Sequence, residues 1–168
     1  YNAILNVGNT ATSGWRTLTP EEWQYVFSTR STASGIRWAK ASVNGVNGLV
    51  LLPDNWDSSI YALNNTNGGN FSSNTITSVD WTNILEPNGA IFLPTSGYRS
   101  HNSIYDRGSA GYYWSASHYN NYYVWHVRFG TDWLLTAWDG YGRPHGLSVR
   151  LVRAPQDGLI GINATSRS

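Results

Sequence analysis

Residues 124–129 read VWHVRF, and their strict alternation decides the class of the fold. A period of two places Trp125, Val127 and Phe129 on an inward face and Val124, His126 and Arg128 on an outward one, the pattern of a half-buried strand. The flanking segments continue the theme. Residues 112–117 (YYWSAS) alternate with Trp114 and Ala116 on one face. Residues 147–153 (LSVRLVR) turn Leu147, Val149 and Leu151 inward and Ser148 and Arg150 outward. The chain is therefore all-β in character from residue 112 to residue 153. The tail PQDGLIGINATSRS has no sustained period and is expected to be a linker or frayed end. One domain over residues 1–153 and a tail over 154–168 follow.

Upstream the signals differ. Thr19, Pro20 and Glu22 spell a helix start: threonine as N-cap, proline at the first position, and a glutamate three residues on whose carboxylate can return the cap's hydrogen bond. Leu18 and Trp23 occupy the staple positions around it. Trp23, Val26 and Phe27 recur at helical spacing and are expected in the core. Capping accounts for these glutamates better than acid–base chemistry does. Short strands are predicted at 36–42 and 48–52, the second closed by Pro53, with Asn44-Gly45 and Asn47-Gly48 as turn dipeptides between them. Residues 64–74, rich in Asn, Gly and Ser, read as a surface loop. Asp80 is expected to cap a second short helix through Trp81, Ile84 and Leu85, and residues 89–94 (GAIFLP) to form a buried strand. Helices few and early, with strands many and late, predict an α+β fold.

Composition narrows the function. The 168 residues fit one domain, and the 12% of charged residues is about half the usual proportion. Nine tryptophans and eleven tyrosines exclude a disordered chain. A net charge of +1, with arginines scattered and Lys40 the one lysine, argues against electrostatic capture of nucleic acid or an anionic membrane. No apolar run approaches a membrane span, so direct membrane insertion is not expected. Tyr1 in place of Met points to a processed or truncated product, which leaves an export signal open. The absence of cysteine removes disulfides, thiolate nucleophiles and Cys-type metal sites.

Three of the four histidines, four tyrosines and three tryptophans crowd into residues 118–145. Where an ordinary surface carries Lys and Glu, the outward and turn positions here carry Tyr, Asn, His, Asp, Arg and Trp. Rigid aromatics with adaptable hydrogen-bonding neighbours are the chemistry of a recognition surface. Trp114, Trp125 and Phe129 read as core, since they share a face with Val127. Tyr119, Tyr122, Tyr123, Trp133, Trp138 and Tyr141 read as exposed, because they crowd loops containing Gly130, Gly140 and Gly142.

Five segments in order, GWRTLTPEEW, GLVLLPDNW, GAIFLPTSGYR, GYYWSAS and GLSVRLVR, resemble a family of Bacteroidetes-type and phage-associated surface proteins. That family has the C-type-lectin-like fold, in the branch of the formylglycine-generating enzymes, and the resemblance extends from Tyr1 to about Arg153. In some members a diversity-generating retroelement varies the segment between the last two motifs. The resemblance then implies ligand-contacting, variable positions at His118, Tyr119, Asn120, Asn121, Tyr122, Tyr123, His126, Arg128, Asp132, Trp133, Trp138, Asp139, Tyr141, Arg143 and His145. It further implies a non-enzymatic receptor-binding module on a bacterial surface or phage particle, with a protein or glycan ligand and no cofactor, because the enzymes of the wider group depend on cysteine. It also implies that an N-terminal strand of the usual domain is missing or lies upstream. A fixed-specificity carbohydrate adhesin is the nearest rival; a formylglycine-related enzyme, a hydrolase or a structural spacer belong to other classes.

Other chemistry finds little support. No HExxH, GxSxG, phosphate-loop or dinucleotide pattern occurs. Asp132 and Asp139 are the one carboxylate pair inside the aromatic stretch, and turn formation explains them better than glycoside hydrolysis. Glu86-Pro87-Asn88 spells a calcium-lectin tripeptide, yet Asn88-Gly89 reads better as a helix end, without the acidic companions a calcium shell needs. His118, His126 and His145 have no zinc-like spacing. Asp54, Trp56 and Asp57 are expected to form a turn with a core tryptophan. Tyr98, Arg99, Tyr105, Asp106 and Arg107 are expected to be framework, with Arg99, Arg107 and Arg150 holding loops through carbonyls.

Overall fold

The computed structural model describes residues 15–153, so the tail at 154–168 lies outside the described residues. Strand β1 (Trp15–Arg16) leads into helix α1 (Pro20–Gln24), which widens into a π-helical turn over Tyr25–Thr29. The capping box is formed as expected: Thr19 Oγ1 accepts from Glu22 N and Thr19 N donates to the Glu22 carboxylate. Arg16 clasps both oxygens of the same carboxylate. Burial opposes ionisation of Glu22, but Arg16 and the Thr19 amide outweigh it and hold the carboxyl below its ordinary range. Leu18 and Trp23 are both buried in the core.

Strands β2 (Trp38–Val43) and β3 (Val46–Leu51) form a hairpin whose turn, Asn44-Gly45, takes positive φ at both residues. The 64–74 loop is at the surface in part only. Phe71, in a 3-10 turn at Phe71–Ser73, is buried. The Asn67 side-chain oxygen accepts from the amides of Arg37 and Trp38, and Asn74 donates to Lys40 O, so two asparagine side chains replace a missing neighbour strand. Strand β4 (Thr75–Ile76) then runs parallel to β2. Helix α2 (Ser78–Asp80), with its π-helical continuation Trp81–Leu85, is capped by Thr77. Asp80 was the expected cap; its amide is instead the donor to Thr77 Oγ1, three residues earlier. Gly89, at φ 88, closes this helix as Asn88-Gly89 suggested, and β5 (Ile91–Pro94) follows.

The order β4-β2-β3-β5 makes a four-stranded sheet buried on both faces. One face, with Leu49, Leu51 and Leu93, packs with Trp23, Val26 and Phe27 of the first helix and with Tyr113, Val127 and Phe129. The other, with Val43, Val50 and Leu52, packs against Trp56, Ile76 and Leu85. A sheet covered on both sides needs near-continuous apolar strands, which is why GLVLL carries no alternation.

The remaining strands are β6 (Tyr98–Ser100), β7 (Ser103–Tyr105), β8 (Gly111–His118), β9 (Tyr123–Phe129), β10 (Leu134–Gly142) and β11 (Val152–Arg153). Strands β8, β9 and β10 form an antiparallel sheet with β9 central; β6 pairs with β7, and β1 with β11. Over the described residues the fold is thus α+β, with two short helices and several largely antiparallel sheets.

Three expectations about facing are corrected. Tyr113, opposite Val127, holds the core position expected of Trp114, which lies opposite His126 and is half-buried. Trp125 is half-buried and meets Tyr119 edge-on at 5.0 Å, outside the core. Residues 147–153 do not form one strand. Ser148 bonds to Tyr112 and Trp114 of β8, whereas Val152 and Arg153 pair with β1. This change of partner reverses the facing, so Val149 and Leu151 are exposed and Val152 packs on the core.

Burial holds the Tyr113 hydroxyl, which donates to Pro94 O at 2.9 Å, well above the usual phenol range. The folded state keeps a proton that the unfolded chain releases near 10.0, so this contribution is intact below that pH and is lost as pH rises beyond it. Burial lowers Lys40 below its ordinary 10.5, which acts oppositely: stability from that group rises with pH up to 10.5. Tyr113→Phe is therefore expected to remove a decline in stability above pH 10 while leaving the Lys40 contribution. Urea midpoints at pH 8–11 would measure it; an unchanged alkaline slope would contradict it.

Candidate functional site

The expected contact residues separate into two groups at opposite ends of β9. At its start, the loop between β8 and β9 exposes His118, Tyr119, Asn120, Asn121, Tyr122 and Tyr123, with Tyr122 at 75% of its full accessibility. Asn120 Oδ1 accepts from the amides of Tyr122 (2.8 Å) and Tyr123 (2.9 Å), an Asx turn that gives the loop its shape. Asn120 therefore positions its tyrosine neighbours. Across the gap, Arg143 N donates to Tyr122 O at 3.0 Å and Arg143 Nη2 to Asn120 O at 3.3 Å, joining the end of β10 to the loop. His145 is half-buried, its Nδ1 3.0 Å from Gly142 O.

At the far end, the β9–β10 turn carries Asp132, exposed, and Trp133, half-exposed. Strand geometry puts the two groups about 20 Å apart. Trp133 folds back on Gly130, whose Cβ, were there one, would fall 2.5 Å from the indole. Glycine is thus required there for space. The Arg128 guanidinium lies 5.4 Å from the Trp133 ring centre, so Arg128, expected as an outward contact, is half-buried and supports Trp133.

His126 is the clearest correction. Alternation turned it outward, but it is 0% exposed. It sits on the central strand, with the rings of Tyr112 and Trp114 each 6.4 Å away, and so cannot meet a ligand at the surface. Trp138 and Tyr141 lie on β10 in register with His126 and Val124; the side chains of Trp138, Asp139 and Tyr141 lie outside the described residues.

Sequence reasoning missed a third element. Tyr98 stacks on Tyr105 at 5.3 Å and meets Tyr112 at 5.0 Å and His145 at 5.9 Å, while Arg99 pairs with Gly146. These contacts bring the β6–β7 hairpin beside the 143–146 turn, with Ile104 (62%) and Tyr105 exposed. The framework reading holds for Arg99, which donates to His101 O. An exposed Ile-Tyr pair within three residues of a hairpin turn was the available signal. Among the described residues, no three His, Asp or Glu side chains gather as metal ligands, and no helix is long and apolar enough to cross a membrane.

Residues 57–152 match the family model described as a domain of unknown function (DUF8237). The match spans more than half of the chain and includes the whole aromatic stretch, so the chain belongs to this family. No curated protein and no solved structure matches it.

Proposed function

We propose that this member of the DUF8237 family is a non-catalytic ligand-binding module of C-type-lectin-like fold, displayed on a bacterial surface or phage particle, with a variable recognition face. The observation that carries the reading is the 118–123 loop. It exposes three tyrosines on a backbone held by Asn120 and Arg143. Such preorganised aromatics contribute large contact area without an ordering cost at binding. Two further features fit. Strand β1 pairs with β11, far apart in the described chain, and two helices precede the sheet that carries the loop. The ligand is a protein or a glycan on another cell or particle.

Sequencing the locus in related strains or phages tests the variable face. Substitutions should concentrate at 118–123, 132, 133, 138, 139, 141, 143 and 145, and uniform conservation there would favour a fixed carbohydrate adhesin. Position 126, being buried, should resist change. Once a ligand is found by glycan array or by display against host surface proteins, Tyr122→Ala should weaken binding about 30-fold, as loss of a ~2 kcal/mol aromatic anchor does. Its melting temperature should stay within about 2 °C of the parent, because the ring packs in no core. Undiminished binding would count against the loop as the contact surface.

A further inference from the structure

Lys40 is the single lysine of the chain, and it is 2% exposed. It projects from β2 toward Phe71, whose ring centre lies 6.0 Å from Nζ. The ammonium donates to two main-chain carbonyls of the β9–β10 turn, Thr131 O at 3.0 Å and Trp133 O at 3.2 Å. A buried ammonium is costly unless hydrogen-bonded, so these two carbonyls and the lysine hold one another in place. They are 91 and 93 residues away in the chain. Between them, Asp132 stands exposed, as does the Thr131 side chain. The opposite end of β9 is built differently: Asn120, itself one of the expected contact positions, shapes the 118–123 loop with its own side chain.

We propose that Lys40 is a positioning residue that fixes the β9–β10 turn through its backbone alone, so that positions 131 and 132 can be exchanged without altering the turn, whereas exchange at position 120 reshapes the loop at the other end. The importance of this asymmetry for recognition rests on the binding reading above: one end changes its chemistry at constant shape, the other changes both. Asp132 adds a nearby negative charge that favours the ammonium, but the carbonyl bonds hold whichever residue stands there.

Amide hydrogen exchange and lysine acylation test this on the whole protein without any ligand. Lys40→Met should raise exchange at 130–134 at least tenfold more than at the β2–β3 amides; an equal rise throughout would mean a merely structural role and overturn the proposal. Thr131→Ala with Asp132→Ala should leave exchange at 130–134 within about threefold of the parent, and a tenfold rise would also overturn it. Asn120→Ala should raise exchange at 118–123 and leave 130–134 unchanged. Should Lys40→Met fail to fold, acylation decides. N-hydroxysuccinimidyl acetate should modify Lys40 at least 100-fold more slowly than the N-terminal amine, in the parent and in the double variant alike, and fast modification in either overturns the clamp. These outcomes are independent of the Tyr122 experiment, so either idea can fail alone.

Discussion

Arg30→Met is expected to lower the stability of the fold by about 2–5 kcal/mol, chiefly because buried carbonyls lose their donor. Arg30 is 1% exposed. Its guanidinium meets Asp54 Oδ1 at 2.6 Å and donates to Val26 O, Arg37 O and Leu52 O. These carbonyls belong to the first helix, the entry to β2 and the exit from β3, so one side chain satisfies acceptors from three segments. Methionine fills much of the volume but donates nothing: Val26 O and Leu52 O lose this buried donor at about 1–3 kcal/mol each, while Arg37 O keeps the Leu52 amide. Lysine keeps the charge but lacks the planar fork, so Arg30→Lys should recover only a minor part. Urea unfolding measures both, and a loss below about 1 kcal/mol for the methionine variant would show that water or repacking replaces the guanidinium.

Trp23→Ala is expected to cost a similar ~3–5 kcal/mol, by a different route. The indole is fully buried, stacks on Phe27 at 5.7 Å, and donates to Trp114 O at 3.4 Å. It is the point where the first helix grips the β8–β10 sheet. Removing it leaves a cavity between two elements that the chain joins only through distant contacts. For a domain of this size the loss corresponds to a fall in melting temperature of about 6–20 °C. Trp23→Phe should recover part of it, since the stack on Phe27 survives. A fall of less than 3 °C with alanine would show that the helix settles onto the sheet and closes the space.

These two residues mark what the sequence could and could not convey. Trp23 was legible because its cues are local: the Thr19 cap, Pro20, Glu22 and the helical spacing lie within a few residues. The Asn44-Gly45 turn and the Asn88-Gly89 helix end were legible for the same reason. The structural roles of Arg30 and Lys40 were not, because an isolated charge reads as surface, and their carbonyl partners come from elsewhere in the fold. YYWSAS offered aromatics in both phases of the strand, so the pattern alone could not choose between Tyr113 and Trp114. His126 was misplaced because alternation assumes one wet face, and rings from β8 cover this one. The aromatic stretch stood out by its composition, but its geometry was misread: the one stretch 118–145 became two separate ends of a strand. The β6–β7 hairpin escaped notice because its link to His145 is tertiary.

The pairing of β1 with β11 has a mechanical consequence. Trp15 lies opposite Arg153 and Arg16 opposite Val152, so residues 15 and 153 are neighbours across a two-residue ladder. A load drawing them apart acts across this ladder and opens it one bond at a time, as a zipper does, without shearing many bonds together. The junction would therefore yield at low force and act as a fuse. A load applied at residues 15 and 153 would release this short ladder before tension reached Trp23 and the sheet behind it.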